Sequence, residues 1–286
     1  RVAMDGSHVP IFAGVAVLLA LLLRRGNRSG HDGRRYLAGF MLAFAIGVAI
    51  EYVQSRTGRP ASLFDVGSNA AGAAIGLALL AQYESAGRRA RLSRAGRWVL
   101  IGAALAGLMF AAWRPLEAAR AYLHRASGFP LLVAFGGPLD LYFVETEGLA
   151  AEIVDLPEPW ALHPGERALR IRHGARRAPA VQIREPNPDW HGFRTLAVDV
   201  TNAGDAEMQL VLRVLDEDHD WSHEDRFNQL FAVPAGTRTT IRFPLDAIGA
   251  APADRPMDLS RIANVMIFSR GPAVAGDLYV SSVWLE

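Results

Sequence analysis

Apolar and polar residues alternate on two different length scales along this chain. The first 115 residues hold four long apolar segments, named A to D in chain order: Val9–Leu23, Tyr36–Val53, Leu63–Tyr83 and Trp98–Trp113. After residue 136, short runs alternate between apolar and polar positions, as in Leu196–Thr201. About 20 successive apolar residues are typical of a membrane-spanning helix, whereas a period of two is typical of a strand. The pattern predicts a helical part followed by an all-β part.

Within the four segments, the only acidic or basic side chains are Glu51 in B and Asp65 in C. Segments B and C reach spanning length, whereas A and D are short; Trp98 and Trp113 bracket D as interfacial aromatic residues do. Buried helices of a soluble protein are the alternative, but four such segments leave little amphipathic surface. We therefore predict a multidomain membrane protein with three parts: an α-helical transmembrane bundle at 1–113, a connector at 114–135 with a short helix over Pro115–Ala126, and an all-β jelly-roll sandwich at 136–286.

Arginines in the loops predict the orientation of the bundle. The A–B and C–D loops each carry five arginines, whereas the short B–C loop carries only Arg56 and Arg59. Short arginine-rich loops stay in the cytoplasm. We expect a multi-pass protein of the cytoplasmic membrane whose B–C loop and C-terminal domain lie outside the cytoplasm. Because the chain then enters segment A from outside, we also expect a further helix upstream of Arg1.

The amino-acid composition excludes several kinds of chemical site. All 30 basic residues are arginine, and the chain has no cysteine, so disulfides, thiolate metal sites, lysine Schiff bases and Walker-type phosphate loops are excluded. The net charge of +1 divides into +10 for residues 1–135 (16 Arg, 6 acids) and −9 for residues 136–286 (14 Arg, 23 acids). The basic residues follow the membrane topology, so no nucleic-acid partner is expected. We predict the lipid bilayer as a partner and no cofactor.

Polar residues of the helical part gather at the predicted outer ends of the segments. Glu51 and Gln54 are three apart, and Asp65 and Asn69 are four apart, so each pair shares a helix face. Ionisable residues at membrane depth are functional candidates. The membrane polar cluster that we predict consists of Asp5, His8, Glu51, Gln54, Arg59, Asp65 and Asn69.

Structural roles for the same residues stay open. Ser62 and Asp65 have the spacing of a capping box, and Glu51 paired with Arg56 or Arg59 would fix the B–C turn. His8 could be an interfacial residue without a role. Gly72 and Gly76 have the G-x-x-x-G spacing that lets helices approach closely, so we expect them to serve helix packing.

The run Glu51-x-x-Gln54-x-x-x-x-Arg59-x-x-Ser62-x-x-Asp65-x-x-x-Asn69-x-x-Gly72-x-x-x-Gly76 resembles the VanZ-like membrane proteins. Members usually carry an Asp-Lys-x-x-His element before the second spanning helix. Here the corresponding Asp5-Gly6-Ser7-His8 lacks the lysine and is one residue shorter. The resemblance covers roughly residues 1–113 and implies an integral cell-envelope protein, with some relatives linked to glycopeptide antibiotic resistance.

Alternating runs predict nine strands in the second part. They are separated by turn residues such as Asn202–Asp205 and Pro234–Gly236, which is typical of a sandwich or jelly roll. The predicted strands cover Leu139–Val144, Ala168–Arg172, Ala180–Arg184, Leu196–Thr201, Met208–Leu215, Phe227–Val233, Thr239–Phe243, Asn264–Phe268 and Asp277–Leu285.

The densest polar stretch, Asp216–Asn228, links two of these strands. It opens like an EF-hand loop, but Trp221 replaces the glycine at position six and Phe227 replaces the glutamate at position twelve, so that motif is rejected. His219 and His223 are four apart and leave zinc as a minor alternative, but we predict no metal. The second interpretation of this stretch, after a metal site, is an acidic loop that is solvated and has no ligand.

A ligand-binding loop is the third interpretation of this stretch. Aromatic faces stack on sugar rings while amides and guanidinium groups bind hydroxyls. The candidate ligand-binding residues are Trp221, Arg226 and Asn228, joined from another loop by Trp190 and His191.

Residues 136–286 also resemble a galactose-binding-like jelly roll of the kind found in carbohydrate-binding modules. The resemblance rests on strands Leu196–Thr201 and Leu210–Leu215, on Asp225–Asn228 and Pro234–Gly236, and on Leu259–Phe268 leading to Leu278–Leu285. It implies a cell-wall or capsular glycan as partner.

Two functions follow as hypotheses. The first is a non-catalytic envelope protein that displays a glycan-binding sandwich outside the cytoplasmic membrane. The alternative is an intramembrane enzyme acting on a lipid-linked envelope intermediate, with Glu51 or Asp65 as general acid or base, His8 assisting and Arg59 holding a phosphate. We expect at least three of these four side chains to approach within about 8 Å, roughly one Debye length. A transporter is disfavoured because no internal repeat is evident.

Overall fold

The computed structural model describes residues 7–24, 32–57, 62–86, 93–147, 151–173, 180–270 and 276–286. They form two compact units, Arg1–Ala118 and Ala119–Glu286. The predicted order, a helical N-terminal part followed by a β-sandwich, is confirmed. Asp5 and Arg59 lie outside the described residues.

The first unit is built from long apolar helices. Its described residues form α1 (His8–Arg24), α2 (Asp32–Arg56), α3 (Leu63–Ala86) and the larger part of α4 (Arg94–Gly128), which continues into the second unit. Within the described part of the chain, three stretches are long and apolar enough to cross a membrane: Gly33–Arg56, Leu63–Ser85 and Arg94–Gly128. Helix α1 is apolar but has only 17 residues.

Small residues let α1 and α3 pack backbone against backbone. A Cβ on Gly76 would lie 2.5 Å from the Ala13 carbonyl oxygen, and one on Gly72 would clash with the Val9 carbonyl oxygen. The G-x-x-x-G face of α3 therefore lies directly on α1. The core of this unit is correspondingly rich in alanine: Phe12, Ala16, Ala20, Tyr36, Ala43, Ala73, Leu77 and Ala81.

Helix α4 is longer than predicted. Segment D was expected to end at Trp113, with a separate short helix at Pro115–Ala126, but one helix of 35 residues runs from Arg94 to Gly128 with Pro115 inside it. Proline removes one backbone hydrogen bond, but the residues after it are strong helix formers, so the helix continues through Pro115.

The second unit contains two antiparallel sheets. Their strands are β1 (Leu131–Val133), β2 (Val144–Glu147), β3 (Ala151–Asp155), β4 (Arg167–His173), β5 (Ala180–Arg184), β6 (Thr195–Asn202), β7 (Met208–Asp216), β8 (Phe227–Val233), β9 (Thr237–Pro244), β10 (Ile262–Ser269) and β11 (Gly276–Leu285). The six-stranded sheet has the order β3-β4-β11-β6-β9, with β1 beside β11, and the five-stranded sheet has the order β2-β5-β10-β7-β8. A short helix α5 (Leu245–Gly249) follows β9.

One predicted strand is wrong, and three strands were missed. Residues Asp140–Phe143 form a 3₁₀ helix where a strand was predicted over Leu139–Val144. The Asp140 carboxylate accepts a hydrogen bond from the Gly137 N–H (2.9 Å), which stabilises a turn instead of extended backbone. The missed strands are β1, which has only three residues, and β2 and β3, which each lie at the edge of a sheet.

The two sheets enclose one apolar core. Inward side chains of both sheets fill it, among them Leu169, Val198, Leu212, Val265 and Val283. This interleaving of inward residues from two sheets is the usual construction of a sandwich.

The outer face of the six-stranded sheet is partly covered by the chain itself. Leu156 and Trp160, in the segment between β3 and β4, pack on Tyr279 of β11. Arg238 on β9 binds both Glu166 (2.6 Å) and Asp199 (2.6 Å) beneath this segment. The hydrogen bonds from Arg238 lower the pKa of the Glu166 carboxyl and hold the cover in place.

Candidate functional site

The outer face of the five-stranded sheet is the face opposite the core. Residues alternate between core and outer face along each strand, so the register fixes which outward residues lie side by side. One row crosses all five strands, with neighbours paired as Glu145, Gln182, Met266, Arg213 and Asn228. We call this set the central row.

Arg213 organises the central row. Its Nε donates to the Asn228 Oδ1 (2.8 Å), and its guanidinium lies 4.8 Å from the centre of the Phe268 ring. Burial, and then the nearby charge of Arg226, lower the pKa of the Arg213 guanidinium. These contacts hold a cation half-buried on an aromatic surface.

A second row lies next to the central row, towards the loops. Arg184 pairs with Asn264, Asn264 pairs with Leu215, and the same register brings Leu215 opposite Arg226, the residue before β8. We call these four residues the loop-side row. Three of its buried polar atoms have no hydrogen-bond partner within the described chain: the Arg184 Nε, the Asn264 Oδ1 and the Arg226 Nε.

An apolar row borders the central row on its other side. It consists of Phe268, Val211 and Leu230, which pair across β10, β7 and β8. Leu230 is 49% exposed, and Phe268 is half-buried. The face thus combines amides and guanidinium groups with aromatic and aliphatic surface.

The structure separates the five candidate ligand-binding residues. Arg226 and Asn228 lie on this outer face, two positions apart, and Arg226 is close enough to Arg213 to affect its pKa. Trp221 lies in the loop between β7 and β8 and is 86% exposed. Its φ of 71° is in the left-handed region, which bulky residues rarely adopt.

The other loop predicted to bind a ligand, which contains Trp190 and His191, contributes less to the outer face. Trp190 is completely buried in the sandwich core, where its Nε1 donates to the Asn187 carbonyl (2.8 Å), so it presents no face to a ligand. This corrects its assignment as a stacking residue: an indole between polar neighbours is here a core residue. His191 is exposed and lies 2.9 Å from an Asp189 carboxylate oxygen; the described contacts do not join it to Arg226 or Asn228.

Ion pairs hold the loop between β7 and β8. Arg255 binds Asp216 (2.7 Å) and Asp225 (2.7 Å). Burial opposes ionisation of Asp216, but hydrogen bonds from Arg255 and from the Asp258 N–H outweigh it and lower the Asp216 pKa. The Arg255 hydrogen bond also lowers the pKa of Asp225. The loop that presents Trp221 is therefore fixed at both ends.

The same loop contains one cluster of potential metal ligands. One oxygen or nitrogen each of His219, Asp220 and Asp225 lies within 4.8 Å of the others, and His223 is not part of the group. The Asp225 carboxylate already forms an ion pair with Arg255, and the His219 Nδ1 lies 2.5 Å from the Asp225 backbone carbonyl oxygen. These engaged donors fit a loop clamp better than a cation site.

The helical unit brings part of the membrane polar cluster together. The Ser62 N–H donates to the Glu51 Oε2 (3.2 Å), while the Ser62 Oγ accepts from the Asp65 N–H (3.2 Å). In a complete capping box the acidic residue at Asp65 would take the Ser62 N–H. Glu51 from the neighbouring helix takes it instead. The Asp65 Oδ1 and the Glu51 Oε1 are buried and have no hydrogen-bond partner within the described chain.

His8 joins the same region through α3. Its Nδ1 lies 2.9 Å from the Asn69 Oδ1, and Asn69 is one turn after Asp65. Gly47 of α2 also packs here, because a Cβ at Gly47 would lie 3.0 Å from the Asn69 Nδ2. Gln54, near the end of α2, is half-buried. The proximity of His8, Glu51 and Asp65 to Arg59 stays a prediction.

A second polar cluster, at the other ends of these helices, was not predicted. Glu84 is 2% exposed and accepts hydrogen bonds from the Tyr36 hydroxyl (2.6 Å) and from Arg35, with Arg24 at 3.5 Å. Sequence reasoning assigned these arginines to topology alone. The signal available was Glu84, an acid placed just after segment C among arginine-rich loops.

Within the second unit, the end of α4 borders a cavity of about 460 Å³. Its lining is mostly apolar and includes Leu132, Phe143 and Ile183. The Tyr122 hydroxyl donates to Glu185, and His124 lies 3.2 Å from Asp140. These contacts attach the helix end to the sandwich.

Comparisons with known proteins give structural neighbours but no family. No family model and no curated protein match the chain. One similar structure is a family 11 carbohydrate-binding module from Clostridium thermocellum in complex with a β-1,3-1,4-mixed-linked tetrasaccharide: 15% identity, 54% of this chain and 93% of that chain covered, TM-score 0.40. Another is an exo-β-agarase: 16% identity, 55% and 24% covered, TM-score 0.43. A third is a family 28 module specific for non-crystalline cellulose: 13% identity, 50% and 87% covered, TM-score 0.36. The VanZ-like resemblance stays a prediction.

Proposed function

We propose that this protein is a non-catalytic envelope protein of the VanZ-like type. Its helical unit anchors it in the cytoplasmic membrane, and its sandwich binds a cell-wall or capsular glycan on the outer side. The binding surface is the outer face of the five-stranded sheet, with Trp221 beside it as an exposed stacking residue.

The unsatisfied polar atoms of the loop-side row carry this proposal. A buried donor or acceptor without a partner costs roughly 1–3 kcal/mol, so a ligand or water that completes the three in this row would stabilise the sandwich. Leu215 in the same row and Met266 in the neighbouring central row are apolar side chains that suit the C–H faces of sugar rings. Sugars present both kinds of surface together.

The anchoring role rests on hydropathy and charge. Three helices have the length and apolarity needed to span a membrane. The charge difference between the two parts of the chain, +10 and −9, fits a basic bundle with cytoplasmic loops and an acidic exported domain.

A glycan panel tests the binding role. The full chain, solubilised in detergent micelles, is presented to neutral and acidic plant, fungal and bacterial polysaccharides, and bound protein is quantified. We expect saturable binding to at least one glycan, with at least a fivefold loss of affinity in Asn264→Ala. The matched control is Thr240→Ala, on the outer face of the six-stranded sheet, which should bind normally. A folded protein that binds no glycan would refute the proposal.

A specific observation also favours the enzyme as a second candidate. Glu51 satisfies the Ser62 N–H, so Asp65 keeps a buried carboxylate oxygen that the capping interaction would otherwise occupy. A buried acid beside a second acid and near a histidine is an arrangement that general acid–base chemistry uses.

Isosteric variants separate this candidate from a structural role. If the site is catalytic, Glu51→Gln and Asp65→Asn should each abolish an envelope phenotype while expression and thermal stability stay normal. Glu117→Gln, at an exposed position of α4 outside the cluster, removes one charge in the same way and serves as the control. Normal phenotype in both variants, or loss of phenotype only together with misfolding, would leave the acids a structural role.

A further inference from the structure

We propose that the ligand of the outer face is an anionic glycan, with carboxylate or phosphate groups on more than one sugar. This inference rests on the proposed glycan-binding function and names the class of glycan. It is carried by the placement of three arginines, Arg184, Arg213 and Arg226, on the outer face of the five-stranded sheet.

Most described arginines of the sandwich form ion pairs, whereas Arg213 and Arg226, like Arg194 and Arg270, form none within the described residues. Arg238, Arg255 and Arg261 each bind two carboxylates, and Arg242 binds Glu286. By contrast, Arg213 and Arg226 form no ion pair within the described residues, although residues 136–286 carry 23 acids against 14 arginines. An acidic domain has thus kept two cations unneutralised on one surface.

The two unneutralised arginines are also close to each other. Arg226 precedes Asn228, the cross-strand partner of Arg213, by two positions on the same face, so it lies diagonal to Arg213 and within reach of a long side chain. Like charges at such positions repel, and the charge of Arg226 contributes to the lowered pKa of Arg213. An anion that binds between the two guanidinium groups would offset this repulsion, so the repulsion is expected at an anion-binding site.

The contacts of Arg213 leave its anion-binding edge available. Asn228 occupies the Nε–H, and the guanidinium lies over the Phe268 ring. The two Nη nitrogens are the remaining donors, and they present the planar fork that binds a carboxylate or phosphate with two hydrogen bonds. The Phe268 ring restricts the rotation of this fork.

The spacing of the arginines indicates a chain of charged sugars. Arg184 on β5 and Arg226 at the start of β8 are separated by β10 and β7, so three strand spacings place them about 14 Å apart. That span exceeds a single sugar and fits an oligosaccharide lying across the strands. The Arg184 Nη2 lies 3.0 Å from the Glu145 Oε1, so Arg184 is the weakest of the three anion contacts.

Matched charged and neutral glycans test the proposal. The full chain in detergent micelles is titrated with polygalacturonate, alginate and hyaluronate, and with the methyl esters of the same polymers. Phosphomannan and its dephosphorylated form provide the phosphate arm. We expect at least tenfold tighter binding to the charged form of at least one pair, and an affinity that falls steeply with added salt.

Two variants with the same charge change provide the control. Arg226→Gln should lower affinity for the charged form at least fivefold and lower affinity for the matched neutral form by a clearly smaller factor. Arg194→Gln, at an exposed position before β6 in the other sheet, should change neither.

The outcomes distinguish this inference from the proposed function. Equal binding to charged and neutral partners, or equal losses in Arg226→Gln and Arg194→Gln, would refute the anionic ligand while glycan binding stands. Displacement of the glycan by phosphatidylglycerol vesicles, but not by neutral vesicles, would assign the surface to lipid headgroups and refute it as well. Absence of binding to every glycan would refute the proposed function itself.

Discussion

At the residue scale, the loop between β7 and β8 presents Trp221 to solvent at a conformational cost. A φ of 71° is unfavourable for a bulky side chain, and 86% exposure gives the indole little compensation from packing. Strain at an exposed aromatic residue points to a function that keeps it there.

Trp221→Gly should separate function from stability. Glycine adopts positive φ without strain, so the melting temperature should stay the same or rise, whereas glycan affinity should fall about tenfold, consistent with loss of one stacking residue worth roughly 1.5 kcal/mol. Thermal unfolding and a binding titration on the same preparation measure both. Unchanged affinity would remove Trp221 from the site.

The pair of acids bound by Arg255 predicts how the sandwich responds to acid. Both Asp216 and Asp225 have pKa values lowered from 3.8. Each therefore contributes stability that is fully present above pH 3.8 and is lost as the pH falls through the lowered pKa. The melting temperature of the sandwich, followed by near-UV circular dichroism, should fall as the pH drops below about 3.8.

Arg255→Met provides the comparison for that pH profile. Removing the partner of buried Asp216 should destabilise the sandwich at pH 7, at the lower end of the roughly 3–5 kcal/mol for breaking a buried pair, because Arg255 is 28% exposed. The variant should also lose part of the acid sensitivity. A variant as stable and as acid-sensitive as the wild type would contradict the assigned contacts.

At the residue scale, sequence reasoning identified only part of the site. Arg226 and Asn228 were recognised because they end an unusually polar stretch. Arg184, Asn264 and Arg213 lie far apart in sequence and meet only through the strand order β5-β10-β7-β8, which local patterns do not contain. Trp190 was misassigned because its polar neighbours resemble a loop, although the indole itself is buried.

At the element scale, the contact between α1 and α3 depends on the absence of a side chain at Gly76. Alanine there would place its Cβ 2.5 Å from a backbone carbonyl oxygen that cannot move alone. We expect Gly76→Ala to destabilise the helical unit by about 1–3 kcal/mol, the usual range for overpacking. Thermal unfolding in micelles, followed at 222 nm, measures this.

Gly102 of α4 is the matched control for Gly76. A Cβ at Gly102 meets nothing within 4 Å, so Gly102→Ala should be neutral or stabilising by up to about 1 kcal/mol through helix propensity. Equal effects of the two substitutions would show that close packing of α1 on α3 does not limit stability.

Elements were predictable where their periodicity is long. The bounds of β5 and β8 coincide with the predicted Ala180–Arg184 and Phe227–Val233. The prediction divided helix α4 wrongly because a proline such as Pro115 is typical of a helix boundary, although the residues around it favour helix. A three-residue strand such as β1 is too short for any period to be visible.

At the scale of the whole molecule, the two sheets of the sandwich differ in what lies outside them. The segment containing Leu156 and Trp160 packs on the outer side of the six-stranded sheet, and Arg238 ties it there through buried acids. The five-stranded sheet instead presents arginines, amides and apolar side chains that remain partly exposed. This asymmetry is the reason that we propose the five-stranded sheet as the binding surface.

Hydroxyl-radical footprinting of the full chain tests that assignment most directly. With a glycan that binds in the panel, oxidation of Met266, Phe268 and Trp221 should fall at saturation, because the ligand shields the outer face of the five-stranded sheet and its adjoining loop. Leu162, 78% exposed between β3 and β4, should be oxidised at the same rate with and without the glycan. Protection of Leu162 with unchanged oxidation of Met266 and Phe268 would place the glycan elsewhere and contradict the account.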